Sequence, residues 1–107
     1  MSEEMSIEKL VEQFQQLPGI GPKSAERIAF YLLERMSAER VNTMAETIRE
    51  AKEKITFCPV CQNLTAIVPC PICASDKRDR SIICVVESPE DVKAIEETNE
   101  YNGLYHV

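Results

Sequence analysis

Apolar residues recur along the first half of the chain at intervals of three and four, the spacing that gathers them on one face of a helix. Ile7, Leu10, Val11, Phe14 and Leu17 form one such stripe, and Ser6 stands where a helix N-cap is wanted. Pro18-Gly19-Ile20-Gly21-Pro22 breaks it. A second stripe of Ala25, Ile28, Ala29, Leu32, Leu33 and Met36 opens on Pro22, whose missing N–H costs nothing at the first helical position, and closes near Ser37. Ser37 can cap a third helix, with Val41, Met44, Ala45, Ile48, Ala51 and Ile55 inward. Three helices are therefore predicted before Cys58.

Further along, the period changes. Ser81-Ile82-Ile83-Cys84-Val85-Val86-Glu87 is an almost continuous β-branched run, the pattern of a strand buried on both faces of a parallel sheet. Ser88-Pro89-Glu90-Asp91 supplies a cap, a proline at the first helical position and an acid three residues after the cap, so a helix to about Thr98 follows, with Val92 and Ile95 inward. Asn102-Gly103 signals a turn, and Leu104 to Val107 reads as a second strand. The fold class is α+β, in blocks 1–56 (helical), 57–76 (cysteine-bearing) and 80–107 (β-α-β). A two-stranded β-α-β unit cannot cover its own apolar faces, so the natural protein is expected to continue and this chain reads as a fragment.

Blocks so small bury too little apolar surface for comfort, which calls for a metal, a partner chain or both. The three helical stripes carry more apolar face than one small bundle needs, so a homo-oligomer is expected, at least a dimer through the N-terminal helices. The opening MSEEMS carries acids where a signal peptide carries bases, and no apolar run nears the roughly 18 residues of a membrane span, so a cytoplasmic protein with no membrane contact is expected. The net charge of -6 means that any contact with nucleic acid depends on a local basic surface, since four thiolates around one Zn2+ would add about two more negative charges.

Cys58-Pro-Val-Cys61 and Cys70-Pro-Ile-Cys73 are two C-x2-C knuckles separated by eight residues. A tight turn brings both sulfurs of a knuckle within about 2.3 Å of one metal, and a second knuckle completes a tetrahedron. The N–H groups aimed at the first sulfur come from the second and third residues after it, so Pro59 and Pro71 stiffen the turn without removing a donor. The competing reading, a pair of redox dithiols, expects each C-x2-C to open a helix beside a sheet, whereas these lie in a Pro-rich stretch. One structural zinc held by Cys58, Cys61, Cys70 and Cys73 is expected, with no open position for catalysis. The fifth cysteine, Cys84, falls outside this scheme and reads as an apolar filler within a strand.

Leu17-Pro18-Gly19-Ile20-Gly21-Pro22-Lys23-Ser24-Ala25 resembles the helix-hairpin-helix motif of DNA-binding proteins. Gly19 and Gly21 let the backbone turn back, and the next helix presents unpaired N–H groups and a positive dipole end to a phosphate. Lys23 stands beside that end, and Arg27, four residues on, shares its face. Such contacts read phosphate and carry no base sequence. The plainer reading is a glycine turn in an αα-hairpin, and the proline-glycine spelling with two bases on one face favours DNA. Lys77, Arg78 and Arg80 could extend the basic track.

Ile82 to Glu87 resembles the opening strand of the Toprim fold, in which a glutamate at the strand end meets a later Asp-x-Asp to hold Mg2+. Those partner acids are absent, so Glu87 alone should support no nuclease, primase or topoisomerase activity. As a polar residue closing an apolar strand it needs no other role, and His106, the only histidine, reads as strand decoration.

Helix-hairpin-helix, four-cysteine zinc finger and Toprim start, in that order and continuing through Ile83-Cys84-Val85-Val86-Glu87-Ser88-Pro89-Glu90-Asp91 to Tyr101-Asn102-Gly103-Leu104-Tyr105-His106-Val107, resemble the RecR family of bacterial recombination mediators. The resemblance implies a non-enzymatic, nucleoid-associated DNA-repair scaffold that helps RecO and RecF load RecA onto gapped or single-stranded DNA. It implies ring-forming subunits with Lys23 and Arg27 facing DNA. Two other readings stay open, a Toprim-class nucleic-acid enzyme and a protein-only oligomerisation module in which the hairpin never meets DNA.

Overall fold

The structure, a computed structural model, describes residues 5–107. Its packing divides the chain into two units, the first running up to Thr47 and the second from Ile48 to Val107.

In the first unit, α1 (Ile7–Gln15) packs against α2 (Pro22–Arg35), and α3 starts at Ala38 and runs to Lys54. The local signals act as the sequence predicts. The N–H of Lys9 donates to Ser6 Oγ at 3.4 Å and that of Arg40 to Ser37 Oγ at 3.1 Å, each filling an otherwise unpaired donor of a first turn. The fully buried residues of α2 are Ala25 and Ala29, whose small side chains let two backbones approach closely. The larger apolar residues are less covered. Ile7, Leu17, Leu33 and Met44 are 40%, 49%, 53% and 41% exposed, so the stripes are only half buried within one chain.

The second unit begins with a feature the sequence did not announce. Strands β1 (Thr56–Phe57) and β2 (Leu64–Thr65) pair antiparallel and flank the first knuckle. The one-turn helix α4 (Pro71–Ala74) carries the second, with Cys70 as its N-cap. Strand β3 (Asp79–Val85), helix α5 (Pro89–Glu96) and β4 (Gly103–His106) then form the β-α-β unit, with β3 and β4 parallel as predicted. Asp91 completes the cap of α5, its carboxylate accepting from the N–H groups of Glu87 and Ser88 at 3.2 Å each.

Two strand expectations need correction. Strand β3 runs two residues earlier than the β-branched run suggests, because Asp79 already pairs with Gly103 and its N–H donates to Asn102 O at 2.7 Å. Nor is β3 buried on both faces. Ile82, Ile83 and Val85 are 49%, 61% and 75% exposed, and among the described residues β3 pairs with a single strand, β4. The buried apolar side chains here are Val92 of α5 and Tyr105 of β4, and Tyr101 meets Tyr105 edge to face at 5.1 Å. Gly103 sits where a Cβ would fall 2.3 Å from Tyr101 Oη and 3.0 Å from the Ile82 carbonyl oxygen, so close packing requires glycine there. Cys84 is half-buried and His106 exposed on its strand.

Candidate metal centre and nucleic-acid interface

Cys58, Cys61 and Cys70 are buried to 2% exposure or less and Cys73 to 7%, with Ile72 packed against them. Cysteine sulfurs this well shielded still face one another: Cys58 and Cys73 at 3.9 Å, Cys61 and Cys70 at 3.6 Å, and all four within 4.8 Å. A tetrahedron with Zn–S bonds of about 2.3 Å has S···S edges of about 3.8 Å. The donor set and its dimensions therefore fit one zinc ion, and four sulfurs around it leave no coordination position open.

The backbone explains how two short knuckles achieve this. In the first, the Gln62 N–H donates to Cys58 O and the Cys58 N–H to Asn63 O, both at 2.7 Å, closing a turn in which Gln62 adopts φ 69°. In the second, the Cys73 N–H donates to Cys70 Sγ at 3.4 Å, and across the site the Cys70 N–H donates to Cys58 Sγ at 3.4 Å. Burial raises the Cys58 thiol pKa, but donation from the N–H groups of Cys70, Cys61 and Val60 outweighs it and brings the group down to about 6. Burial pushes the Cys61 and Cys73 thiols up. Val60 and Cys61 are the second and third residues after Cys58, the donors expected to leave Pro59 free. One element of the contrast with redox dithiols does not hold for the second knuckle, which does open a short helix. The four-sulfur convergence decides between the readings.

The module is stitched to the β-α-β unit by groups that sequence reasoning assigned elsewhere. Arg80 donates to the carbonyl oxygens of Ser75 and Cys73 at 3.1 and 3.0 Å, closing the end of α4. Arg78 makes a two-point contact with the Glu96 carboxylate and donates to Gly103 O at 3.2 Å. Glu96 is held below the ordinary carboxylate range chiefly by that guanidinium. Neither arginine is therefore free to extend a basic track. The Val107 N–H completes the stitching, donating to Cys61 O at 2.9 Å.

In the first unit the hairpin turn places its residues as follows. Gly19 has φ +79°, a conformation that side-chain-bearing residues rarely adopt. Gly21 does not: at φ -84° and ψ 178° it is extended, serves as the N-cap of α2, and has nothing within 4 Å of where a Cβ would point. Helix α2 accordingly has no side-chain cap and no acid in its first turn, unlike α1 with Ser6 and Glu8. Lys23 and Arg27 are exposed on its first two turns, and neither takes part in an ion pair among the described residues. The two sequence-predicted bases are thus brought together at an open helix end.

These features define a class: a helix-hairpin-helix, a four-cysteine zinc module and a parallel β-α-β start of a Toprim sheet on one chain. Comparison with known proteins agrees at each step. Residues 7–52 match the family model described as RecR, helix-hairpin-helix, residues 55–75 that of the RecR four-cysteine zinc finger domain, and residues 81–107 that of the Toprim domain. The recombination protein RecR of Bifidobacterium longum (strain DJO10A) is 55% identical over 102 residues, 95% of this chain and 50% of the relative. That of Bifidobacterium adolescentis is 52% identical over 102 residues and that of Chloroherpeton thalassium 47% over 104, with the same shares. The chain belongs to the RecR family. It spans about half the length of the curated relatives it matches.

Proposed function

We propose that this chain is a non-enzymatic DNA-binding scaffold of recombinational DNA repair. Its relatives carry the name recombination protein, and the hairpin gives that name a physical means. The observation that carries the reading is the exposed pair Lys23 and Arg27 at the uncapped N-terminus of α2. Partial positive charge on unpaired N–H groups, two exposed cations and no first-turn acid together suit a phosphate and no particular base.

Zinc acts here as structure. Once the four sulfurs are ligands there is no position at the metal for water or substrate. Among the described residues no helix is long and apolar enough to cross a membrane. Following the family resemblance, the scaffold helps RecO and RecF load RecA onto gapped or single-stranded DNA, as a homo-oligomer whose hairpins act together. Half-exposed Ile7, Leu17, Leu33 and Met44 supply apolar surface for that association, and several hairpins on one strand raise the apparent affinity.

The test is the salt dependence of DNA binding by the wild-type chain and by Lys23→Ala. The reading requires a phosphate-driven slope that flattens in the variant. An unchanged slope would leave the hairpin as an assembly element only.

A further inference from the structure

The aromatic residues of α2 face two different surroundings. Phe30 borders a groove with α1 that is also lined by Glu8, Glu12 and Glu26, a rim that repels phosphate. Tyr31 does not share it. It is 61% exposed and borders a separate, open hollow of about 460 Å³ on one face of α2 with Ser24, Arg27 and Ile28, where the Arg27 guanidinium is the only charged group among the described residues of the lining.

The helical spacing connects this hollow to the N-terminal end of α2. Lys23, Arg27 and Tyr31 follow one another at four-residue intervals, each step rising about 6 Å along the helix and turning only about 40° around it. Ala25 and Ala29, on the opposite side of the helix, are fully buried. The exposed face of α2 thus reads cation, cation, aromatic ring, with Ser24 and Ile28 bordering the same hollow. That order matches a nucleotide, in which the anionic phosphate and the flat, apolar base lie at opposite ends. We propose that this hollow receives an unpaired base of single-stranded DNA, stacked on Tyr31, while the adjoining phosphates rest on Arg27 and Lys23. The proposal builds on the hairpin as a DNA contact and adds a preference for strand type.

The preference follows from what stacking requires. In a duplex both faces of a base are covered by its neighbours, so an exposed ring gains nothing from it, whereas a single strand can offer a base face without breaking pairs. Arg27 serves both ends, its charge toward phosphate and its planar guanidinium beside the base. Because every base has a π-face, the contact adds affinity without reading sequence.

Anisotropy titrations of the full chain against an end-labelled oligodeoxythymidylate and a duplex of the same length, each at two salt concentrations, decide the matter. The proposal expects Tyr31→Ala to bind the single strand about 5-fold to 100-fold more weakly with an unchanged salt slope, to bind the duplex as the wild type does, and to be rescued by Tyr31→Phe. Equal losses on both DNAs, or none on either, overturn it. So does a drop in solution mass of Tyr31→Ala by sedimentation, which would make Tyr31 a contact to a second copy. Lys23→Ala separates this idea from the one beneath it. If that variant flattens the salt slope while Tyr31→Ala is silent on the single strand, only the stacking contact falls, and if Lys23→Ala changes nothing, the hairpin reading falls with it.

Discussion

The guanidinium of Arg78 holds both carboxylate oxygens of Glu96, 18 residues further along the chain, with Arg78 15% and Glu96 29% exposed. Tyr105 also donates its hydroxyl to Glu96, and Arg78 reaches the Gly103 carbonyl, so one ion pair joins the start of β3, the end of α5 and β4. Its position marks it as the fastener of the β-α-β unit.

A pH dependence follows. The Glu96 pKa is lowered on folding, first by the Arg78 hydrogen bond, so its contribution to stability is fully present above the unfolded carboxylate value of about 4.3 and is lost as pH falls through the folded value. Glu96→Gln should cost about 2 kcal/mol near neutral pH, because Arg78 then faces a neutral amide. Urea melts of wild type and variant should converge as the pH is taken below about 4. A gap that stays constant across that range would show that the pair contributes nothing through ionisation.

Zinc removal should undo both knuckles and their surroundings together. Cys58→Ala or Cys70→Ala should lose the metal and destabilise residues 56–75 by several kcal/mol, since metal binding is folding energy in so small a module. Elemental analysis should return one zinc per wild-type chain. Cys84→Ala should retain it, because Cys84 lies in β3 outside the four-sulfur cluster. A wild-type chain that stays fully folded after chelation would contradict the assignment.

The two hairpin glycines should respond differently to alanine. Gly19 has φ +79°, so Gly19→Ala should cost about 1 kcal/mol or more in stability and distort the turn. Gly21 has an ordinary extended backbone with open space around it, and replacing an N-cap glycine by alanine should cost only a few tenths of a kcal/mol to about 1 kcal/mol. Thermal melts compare the two directly. If Gly21→Ala melts normally yet weakens DNA binding, the open space at Gly21 is where the phosphate enters.

Equilibrium sedimentation should find the chain at least dimeric. Leu33 and Ile48 are 53% and 64% exposed, and removing the first 16 residues should weaken association by deleting α1. Substitution of a zinc-binding cysteine should disturb it less. Monomers at every accessible concentration would remove the avidity on which the proposed binding depends.

Much of this architecture is written locally and was legible for that reason. Ser6, Ser37 and Pro22 each act within one turn of where they stand, and the C-x2-C spacing encodes a metal polyhedron whatever surrounds it. The parallel β-α-β unit followed from the β-branched run and the Ser88-Pro89-Glu90-Asp91 helix start. What escaped is non-local or too short to have a period. Strands β1 and β2 have two residues each, so no alternation can be seen. Arg78 and Arg80 looked like free surface bases because nothing in their neighbourhood names Glu96 or the carbonyls of Cys73 and Ser75 as partners. The exposure of Ile82, Ile83 and Val85 was likewise invisible, since a run of β-branched residues records what a strand is suited to pack against and not what one chain provides.

The proposed function requires the hairpin to bind DNA by phosphate contacts from Lys23, Arg27 and the N-terminus of α2. The most direct measurement is DNA affinity as a function of salt for wild type, Lys23→Ala and Arg27→Ala, with solution mass checked for each. Two neutralised phosphates per hairpin give a slope of log affinity against log salt near -2 for duplex, multiplied by the number of hairpins engaged. Each alanine should flatten it by roughly one unit per hairpin and weaken binding to all sequences alike. Variants that fold, associate and bind DNA with the wild-type salt dependence would contradict the account.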